Sequence, residues 1–171
     1  MPSTLLIRGL AAASLALCLP AFADDARPEF GIREDQPTTG SMIKRYVVKG
    51  AAIPVNKRYA ELTAEQKETL NGYYETIGPG DEPPFPAEGL KPIYDAVRKA
   101  QNALRVSGDL VLIVTIGPDG EARSVRAIGS PSPEMTKFAS SVLLVTRYKP
   151  ALCASKPCTM DYLFSFAFTL Q

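Results

Sequence analysis

The sequence predicts an α+β domain, and three features of its last third indicate that class. Leu110 to Ile116 is a continuous apolar run of strand length, and the turn sequence Gly117-Pro118-Asp119-Gly120 follows it. A helical pattern comes next. The chain then ends in a segment whose even positions are aromatic. This order of strand, turn, strand, helix and strand is typical of an antiparallel sheet that carries helices on one side.

Residues 1–23 have the features of a secretory signal. Arg8 supplies a positive charge, a short apolar run ends at Leu19, and Ala21-Phe22-Ala23 is a cleavage motif. The apolar run is shorter than the roughly twenty residues that a bilayer-spanning helix needs. We therefore expect cleavage after Ala23 and export of the mature chain. Retention of residues 4–23 as a membrane anchor is the alternative.

The charge balance and the residue types exclude several functions. The chain has 19 Lys and Arg against 18 Asp and Glu, and cleavage would remove Arg8, so the mature chain is formally neutral. Without a basic stripe we expect no nucleic-acid partner. The chain contains no histidine, the commonest general base, so we expect no enzyme and no cofactor. The carboxylates of Asp81 and Glu82 lie in a proline-rich segment, where we expect a solvated turn.

Two cysteines remain after the predicted cleavage, Cys153 and Cys158. An even number of cysteines in an oxidising compartment is usually disulfide-bonded. Two thiolates without histidine fall short of the four ligands that structural zinc sites use, so we expect no metal site. The predicted disulfide closes a short loop and stabilises the fold by only about 2 kcal/mol.

The segment before the main domain is divided into two parts. Residues 24–41 are polar, contain Pro and Gly, and are expected to form a disordered arm. Residues 42–85 are expected to form a strand-helix extension that ends in a proline-rich linker. The strand is predicted within Met42–Val48, and Thr63 with Gln66 forms a capping box that begins the helix. The helix is predicted to reach Gly78, with an apolar face of Leu70, Tyr73, Tyr74 and Ile77.

Residues 86–171 are predicted to hold two helices and three strands. The first helix begins near Leu90, with Pro92 in its first turn, and ends at Ser107-Gly108. Its predicted buried stripe is Ile93, Tyr94, Val97, Ala100, Gln101 and Leu104. The second helix is capped by Ser132, with Pro133 in its first position. Its predicted buried face is Met135, Phe138, Ala139, Val142 and Leu143.

The strands of this part are a hairpin and a terminal strand. Leu110–Ile116 and Glu121–Ile128 are predicted to pair across the turn, and Thr159–Leu170 is the last strand. Its odd positions are smaller and partly polar, which indicates a strand with one core face and one lighter face. We expect its aromatic side chains to face the core helices: Tyr162, Phe164, Phe166 and Phe168.

The ordered set of motifs in residues 86–171 resembles the C-terminal domain of the TonB family. That pattern has a Gly before an apolar strand, an Asp-Gly turn, a Ser near the end of the second strand, and an aromatic-Pro-Ala exit from a helix. It closes with Phe-x-Leu. The matching positions are Gly108, Asp119-Gly120, Ser130, Tyr148, Pro150-Ala151 and Phe168–Leu170.

The resemblance implies a small three-stranded antiparallel sheet with two helices packed on one face. It also implies the periplasm of a Gram-negative bacterium, and a protein or peptide partner such as a TonB-dependent outer-membrane receptor. Members bind an extended receptor peptide along the edge of the last strand, which is β-augmentation. The implied binding edge is Leu163, Phe164, Ser165, Phe166, Ala167, Phe168 and Thr169.

The chain departs from the pattern of a complete energy transducer. Such a transducer has an uncleaved membrane helix with a coupling histidine and a long proline-rich spacer, whereas Asp81 to Pro92 can span only roughly 40 Å. We therefore expect binding without force transmission. A membrane-anchored transducer and a structural periplasmic interaction protein are the alternatives. A strand-exchanged homodimer, and cover of the last strand by residues 42–80, both stay open.

Overall fold

The computed structural model describes residues 29–31, 43 and 53–169. The chain is α+β, with a 3₁₀ turn at Tyr59–Glu61 before the first helix. The helices are α1 (Ala64–Asn71), α2 (Lys91–Leu104) and α3 (Pro133–Val145). The strands are β1 (Glu29–Gly31), β2 (Phe85–Pro86), β3 (Gly108–Ile116), β4 (Ala122–Gly129), β5 (Tyr148–Lys149), β6 (Ala151–Cys153), β7 (Lys156–Cys158) and β8 (Met160–Phe168).

The main sheet has the order β1-β4-β3-β8 and is antiparallel throughout. The predicted hairpin is β3 with β4, and β8 pairs with β3 from Gly108↔Phe168 to Ile116↔Met160. The three predicted strands are therefore present as β4, β3 and β8. A fourth strand, β1, lies along the outer side of β4. Two small antiparallel ladders, β2 with β5 and β6 with β7, lie outside this sheet.

The N-terminal predictions are only partly covered by the described residues. The predicted signal, residues 1–23, lies outside them. In the arm predicted to be disordered, Glu29–Gly31 forms β1, and the rest of residues 24–41 is outside the described part. Of the predicted strand Met42–Val48 only Ile43 is described, and it forms a bridge with Tyr74.

Helix α1 confirms the predicted capping box and is shorter than predicted. Gln66 donates its backbone N–H to the Thr63 hydroxyl, and the Gln66 side chain accepts from the Thr63 N–H. The helix ends at Asn71, and a tighter turn follows in which the Tyr74 N–H donates to the Asn71 carbonyl. This turn buries Tyr74 in a second apolar cluster with Met160. Tyr73, Tyr74 and Ile77 therefore lie beyond the helix.

Helix α2 begins where the sequence predicts, with Leu90 as the N-cap and Pro92 in the first turn, and it ends at Leu104, before the predicted stop at Ser107-Gly108. Ile93 and Val97 are buried, but Leu104 is 43% exposed, so its place in the predicted stripe is wrong. The C-cap Arg105 has a left-handed backbone that turns the chain inward. Val106 then lies in the core in place of Leu104.

Helix α3 packs beside α2 and against β3 and β4. Ser132 caps it by accepting the Met135 N–H at 3.1 Å. Met135, Ala139 and Leu143 are buried as predicted. Phe138 is 40% exposed, because the buried face is turned toward Thr136 and Ser140, which are both buried.

The core face of the main sheet carries the aromatic residues. Tyr162, Phe164, Phe166 and Phe168 are all buried, which confirms the predicted inward orientation of the even positions. The odd positions Ser165, Ala167 and Thr169 are exposed. Tyr94 of α2 packs its ring against Phe166 on this face, and α3 contacts β3, β4 and α2.

The β6–β7 hairpin carries the predicted disulfide. Cys153 and Cys158 are bonded, with their Cα atoms 5.8 Å apart. The carboxylate of Asp81 accepts the N–H of Ala154 at 2.7 Å through one oxygen and that of Gly78 at 2.9 Å through the other. Glu82 forms an ion pair of 2.9 Å with Lys149. Both carboxylates are partly exposed beside a turn, as expected, and each also holds a neighbouring segment in place.

Candidate peptide-binding edge

Strand β8 is the last strand of the main sheet, and no strand among the described residues pairs with its outer edge. The carbonyls of Asp161, Ser165 and Thr169 accept hydrogen bonds from side chains outside the sheet. Peptide groups alternate in direction along a strand, so the odd residues point their N–H and C=O away from β3. The even residues point theirs toward β3.

This alternation divides the seven residues that the sequence predicted for the edge. Phe164, Phe166 and Phe168 pair with β3 through their backbone and bury their rings, so their peptide groups are not open to a partner strand. The outward peptide groups belong to Leu163, Ser165, Ala167 and Thr169.

Three side chains cap outward carbonyls of β8 at intervals of four residues. We call them the capping side chains: Tyr74, Tyr94 and Gln101. The Tyr74 hydroxyl donates to the Asp161 carbonyl at 2.8 Å. The Tyr94 hydroxyl donates to the Ser165 carbonyl at 3.3 Å, and the Gln101 amide donates to the Thr169 carbonyl at 2.9 Å.

The carbonyls between the caps belong to Leu163 and Ala167. Within the described part of the chain, neither accepts a hydrogen bond from a third strand or from a side chain. The outward N–H groups of Leu163, Ser165 and Ala167 likewise have no partner there. A strand that lies beside β8 at the usual inter-strand spacing of about 4.8 Å could form hydrogen bonds with these groups.

A groove of about 460 Å³ runs beside this edge, between α2 and β8. Its apolar lining comes from Val55, Tyr94, Val97, Phe166 and Phe168. The ring of Tyr94 lies 4.9 Å from that of Phe166, and Phe166 stacks on Phe168 at 6.2 Å. The groove therefore provides an apolar surface on the helix side of the edge.

The rim of the groove is charged and internally paired. Asp95 forms ion pairs with Lys91 at 2.5 Å and with Arg98 at 2.8 Å. The hydrogen bond from Lys91 is the main reason that the pKa of Asp95 lies below its usual range. With two cations against one carboxylate, the rim carries one net positive charge and favours an anionic group on a ligand.

The capping tyrosines remain hydrogen-bond donors at neutral pH. Burial raises the pKa of Tyr94 above its usual range, and it raises that of Tyr74 well above it. Both hydroxyls therefore keep the proton that they donate to β8.

Tyr94 and Gln101 were predicted as part of the buried stripe of α2, and their capping role was missed. Both are only partly buried. Their positions gave one signal, because a tyrosine and a glutamine on an apolar stripe need partners for their polar ends. The identity of those partners depends on β8, which lies 71 and 68 residues further along the chain.

The segment of residues 42–80 reaches β8 at one end. The Tyr74 hydroxyl donates to the carbonyl of Asp161, which precedes the predicted binding edge Leu163–Thr169. Residues 44–52 lie outside the described part of the chain.

Comparison with family models, with curated proteins and with solved structures finds no match for this chain. Among the described residues, no helix has both the length and the apolar character needed to cross a membrane. The candidate site is therefore defined by the geometry of β8 and α2 alone.

Proposed function

We propose that this chain is an exported periplasmic binding module that takes up an extended peptide as an additional strand on the outer edge of β8. The observation that carries the proposal is the outward backbone of Leu163–Thr169 beside an apolar groove. The resemblance of residues 86–171 to the TonB C-terminal domain supports the same edge. It also suggests a TonB-dependent outer-membrane receptor as the source of the peptide.

The binding mode follows from the alternation of a strand. Main-chain hydrogen bonds to Leu163, Ser165 and Ala167 would hold the peptide beside β8. Side chains of the peptide would point alternately toward the groove on the α2 side and toward the opposite face of the sheet. Apolar groups facing Tyr94, Phe166 and Phe168 would supply most of the affinity, because hydrogen bonds exchanged with water contribute little net free energy.

We propose binding without catalysis. A general base works best with a pKa near the ambient pH, and such a value in a carboxylate requires an upward shift. The carboxylate in the groove, Asp95, has its pKa lowered, and both of its neighbouring cations are engaged with it.

The test is a titration of ¹⁵N-labelled protein with peptides from the plug segments of TonB-dependent receptors. We expect the largest shifts at the amides of Leu163, Ser165 and Ala167. Shifts confined to other surfaces, or none with any peptide, would contradict the proposal.

Ala167→Pro is the matching variant, because it removes an outward N–H from an edge strand, where proline is tolerated. We expect it to weaken binding by roughly fivefold or more, as expected for one lost hydrogen bond, while the far-UV circular dichroism and the Tm show a folded protein. Ala167→Ser is the control, since it keeps the N–H and should bind as the wild type does. Equal binding by both variants would exclude this edge.

A further inference from the structure

We propose that Tyr94 keeps its hydrogen bond to Ser165 when a partner strand is added, so that the edge accepts partner N–H groups only at Leu163 and Ala167. This inference rests on the proposed function and deepens it, because it specifies which backbone donors the peptide needs.

The spacing of the caps carries the inference. The carbonyls of Asp161, Ser165 and Thr169 each receive a donor from outside the sheet, and the carbonyls of Leu163 and Ala167 alternate with them. Outward carbonyls occur at every second residue of this edge. Those that remain open to a partner, at Leu163 and Ala167, are four residues apart.

Tyr94 and Gln101 are each held in position by a second contact besides the bond to β8. The Tyr94 ring lies against Phe166, whose own ring is buried in the core, so the hydroxyl is directed over the edge from the helix side. The Gln101 amide also lies 3.4 Å from the Val106 carbonyl, at the end of α2. An incoming strand that displaced either cap would have to disturb contacts of α2 with β8.

The partner is then an extended peptide in which the residue opposite Ser165 does not need a backbone N–H. In an antiparallel pair, the residue opposite Ser165 exchanges hydrogen bonds with that residue alone. Its carbonyl would accept the Ser165 N–H, but its own N–H would meet a carbonyl whose outward lone pair already accepts from the Tyr94 hydroxyl. A proline or an N-methylated residue should be accepted there and rejected opposite Leu163 or Ala167.

The experiment is an N-methyl scan of one probe peptide. The probe is acetyl-EVTVAVTVE-amide, whose alternating valines fit an apolar groove and whose end glutamates suit a cationic rim. Each residue is N-methylated in turn, and Kd is measured by calorimetry with the wild type and with Tyr94→Phe. The register is assigned from amide shifts of β8.

For the wild type we expect losses of roughly fivefold or more at two peptide positions four residues apart, as expected for one lost hydrogen bond. The position midway between them should change by less than about twofold, because no bond is lost there. In Tyr94→Phe, which keeps the ring on Phe166, the middle position should become as sensitive as the other two. Tyr74→Phe is the control, because its hydroxyl caps Asp161, outside this window; it should keep the wild-type pattern.

Three results would overturn the inference. Sensitivity at every second position in the wild type would show that Tyr94 is displaced. A tolerant middle position that persists in Tyr94→Phe would show that the cap is not its cause. An unchanged ¹³C shift of the Ser165 carbonyl in the free Tyr94→Phe variant would show that the bond is absent. Absence of any binding to the wild type, in contrast, would overturn the proposed function itself, and the carbonyl shift would still report on the cap.

Discussion

The side-chain amide of Gln101 donates a hydrogen bond of 2.9 Å to the main-chain carbonyl of Thr169. This bond joins the last turn of α2 to the end of β8. Together with the Tyr94 bond to Ser165, it attaches the helix to the edge on which we place the peptide. The groove between α2 and β8 therefore has a width that two side chains maintain.

Loss of the Gln101 bond should loosen the end of β8. In Gln101→Leu we expect faster hydrogen exchange at the amide of Phe168, which pairs with β3, and a loss of about 1 kcal/mol in the free energy of unfolding. Asn102→Leu is the control, because residue 102 is exposed on the same helix. Urea denaturation and exchange mass spectrometry measure both effects, and equal behaviour of the two variants would contradict the tether.

The turn between β3 and β4 should not tolerate a side chain at residue 120. Gly120 has a φ of +76°, and a Cβ there would overlap the Tyr148 carbonyl oxygen. The Gly120 carbonyl also accepts the Tyr148 N–H at 2.9 Å. We expect Gly120→Ala to lower the free energy of unfolding by about 2 kcal/mol or more, from backbone strain and a weakened hydrogen bond.

Gly129→Ala is the control for that substitution. A Cβ at Gly129 meets no atom within 4 Å, so we expect a change of no more than about 0.5 kcal/mol. Urea denaturation of both variants gives the comparison. A stable Gly120→Ala protein would mean that the turn can separate from Tyr148 at little cost.

Stability should depend on pH through Asp81. The N–H of Ala154 and then that of Gly78 lower the pKa of Asp81 below its ordinary value of 3.8. A carboxyl whose pKa is lower in the folded state stabilises the fold above the unfolded value and loses this contribution as the pH falls through the folded value. Asp81→Asn should therefore be less stable than the wild type at pH 7, and this difference should shrink below about pH 4.

Thermal unfolding of both proteins from pH 7 to pH 2 measures this difference. Glu88→Gln is a suitable control, because Glu88 is an exposed carboxylate whose ion pair is with Arg58 at the surface. A difference between wild type and Asp81→Asn that stays constant with pH would assign the effect of Asp81 to shape rather than to charge.

The predicted export signal has its own test. We expect Edman sequencing of the protein recovered from a bacterial periplasm to begin at Asp24, because the motif Ala21-Phe22-Ala23 directs cleavage after Ala23. Ala23→Leu should block cleavage. A wild-type protein that retains Met1 in the membrane fraction would favour the anchored alternative.

The sequence was sufficient for features that depend on local periodicity. The capping box of Thr63 and Gln66 and the Ser132 cap are local hydrogen bonds within one turn, and both are present. The burial of the β8 aromatics follows from a period of two, because a strand with one buried face must place alternate residues in the core.

Local pattern failed where a contact from elsewhere in the fold decided the outcome. Tyr73, Tyr74 and Ile77 continue the spacing of α1, but burial of Tyr74 beside Met160 ends the helix early. Strand β1 was not predicted, because its three residues are too few for an alternating pattern. Its pairing with β4 is a main-chain interaction that such a short sequence does not indicate.

By itself, the sequence determined the α+β class, the β3–β4 hairpin, the inward orientation of the β8 aromatics and the cysteine pair. Each of these depends on residues close together in the chain. Only the tertiary structure decided which peptide groups of β8 face outward and which carbonyls are capped. Those two properties depend on the distance between α2 and β8. That distance is set by the packing of Tyr94 against Phe166 and by the bond from Tyr94 to Ser165, which lies 71 positions further along the chain. The outer edge of β8 is therefore defined by side chains on another element.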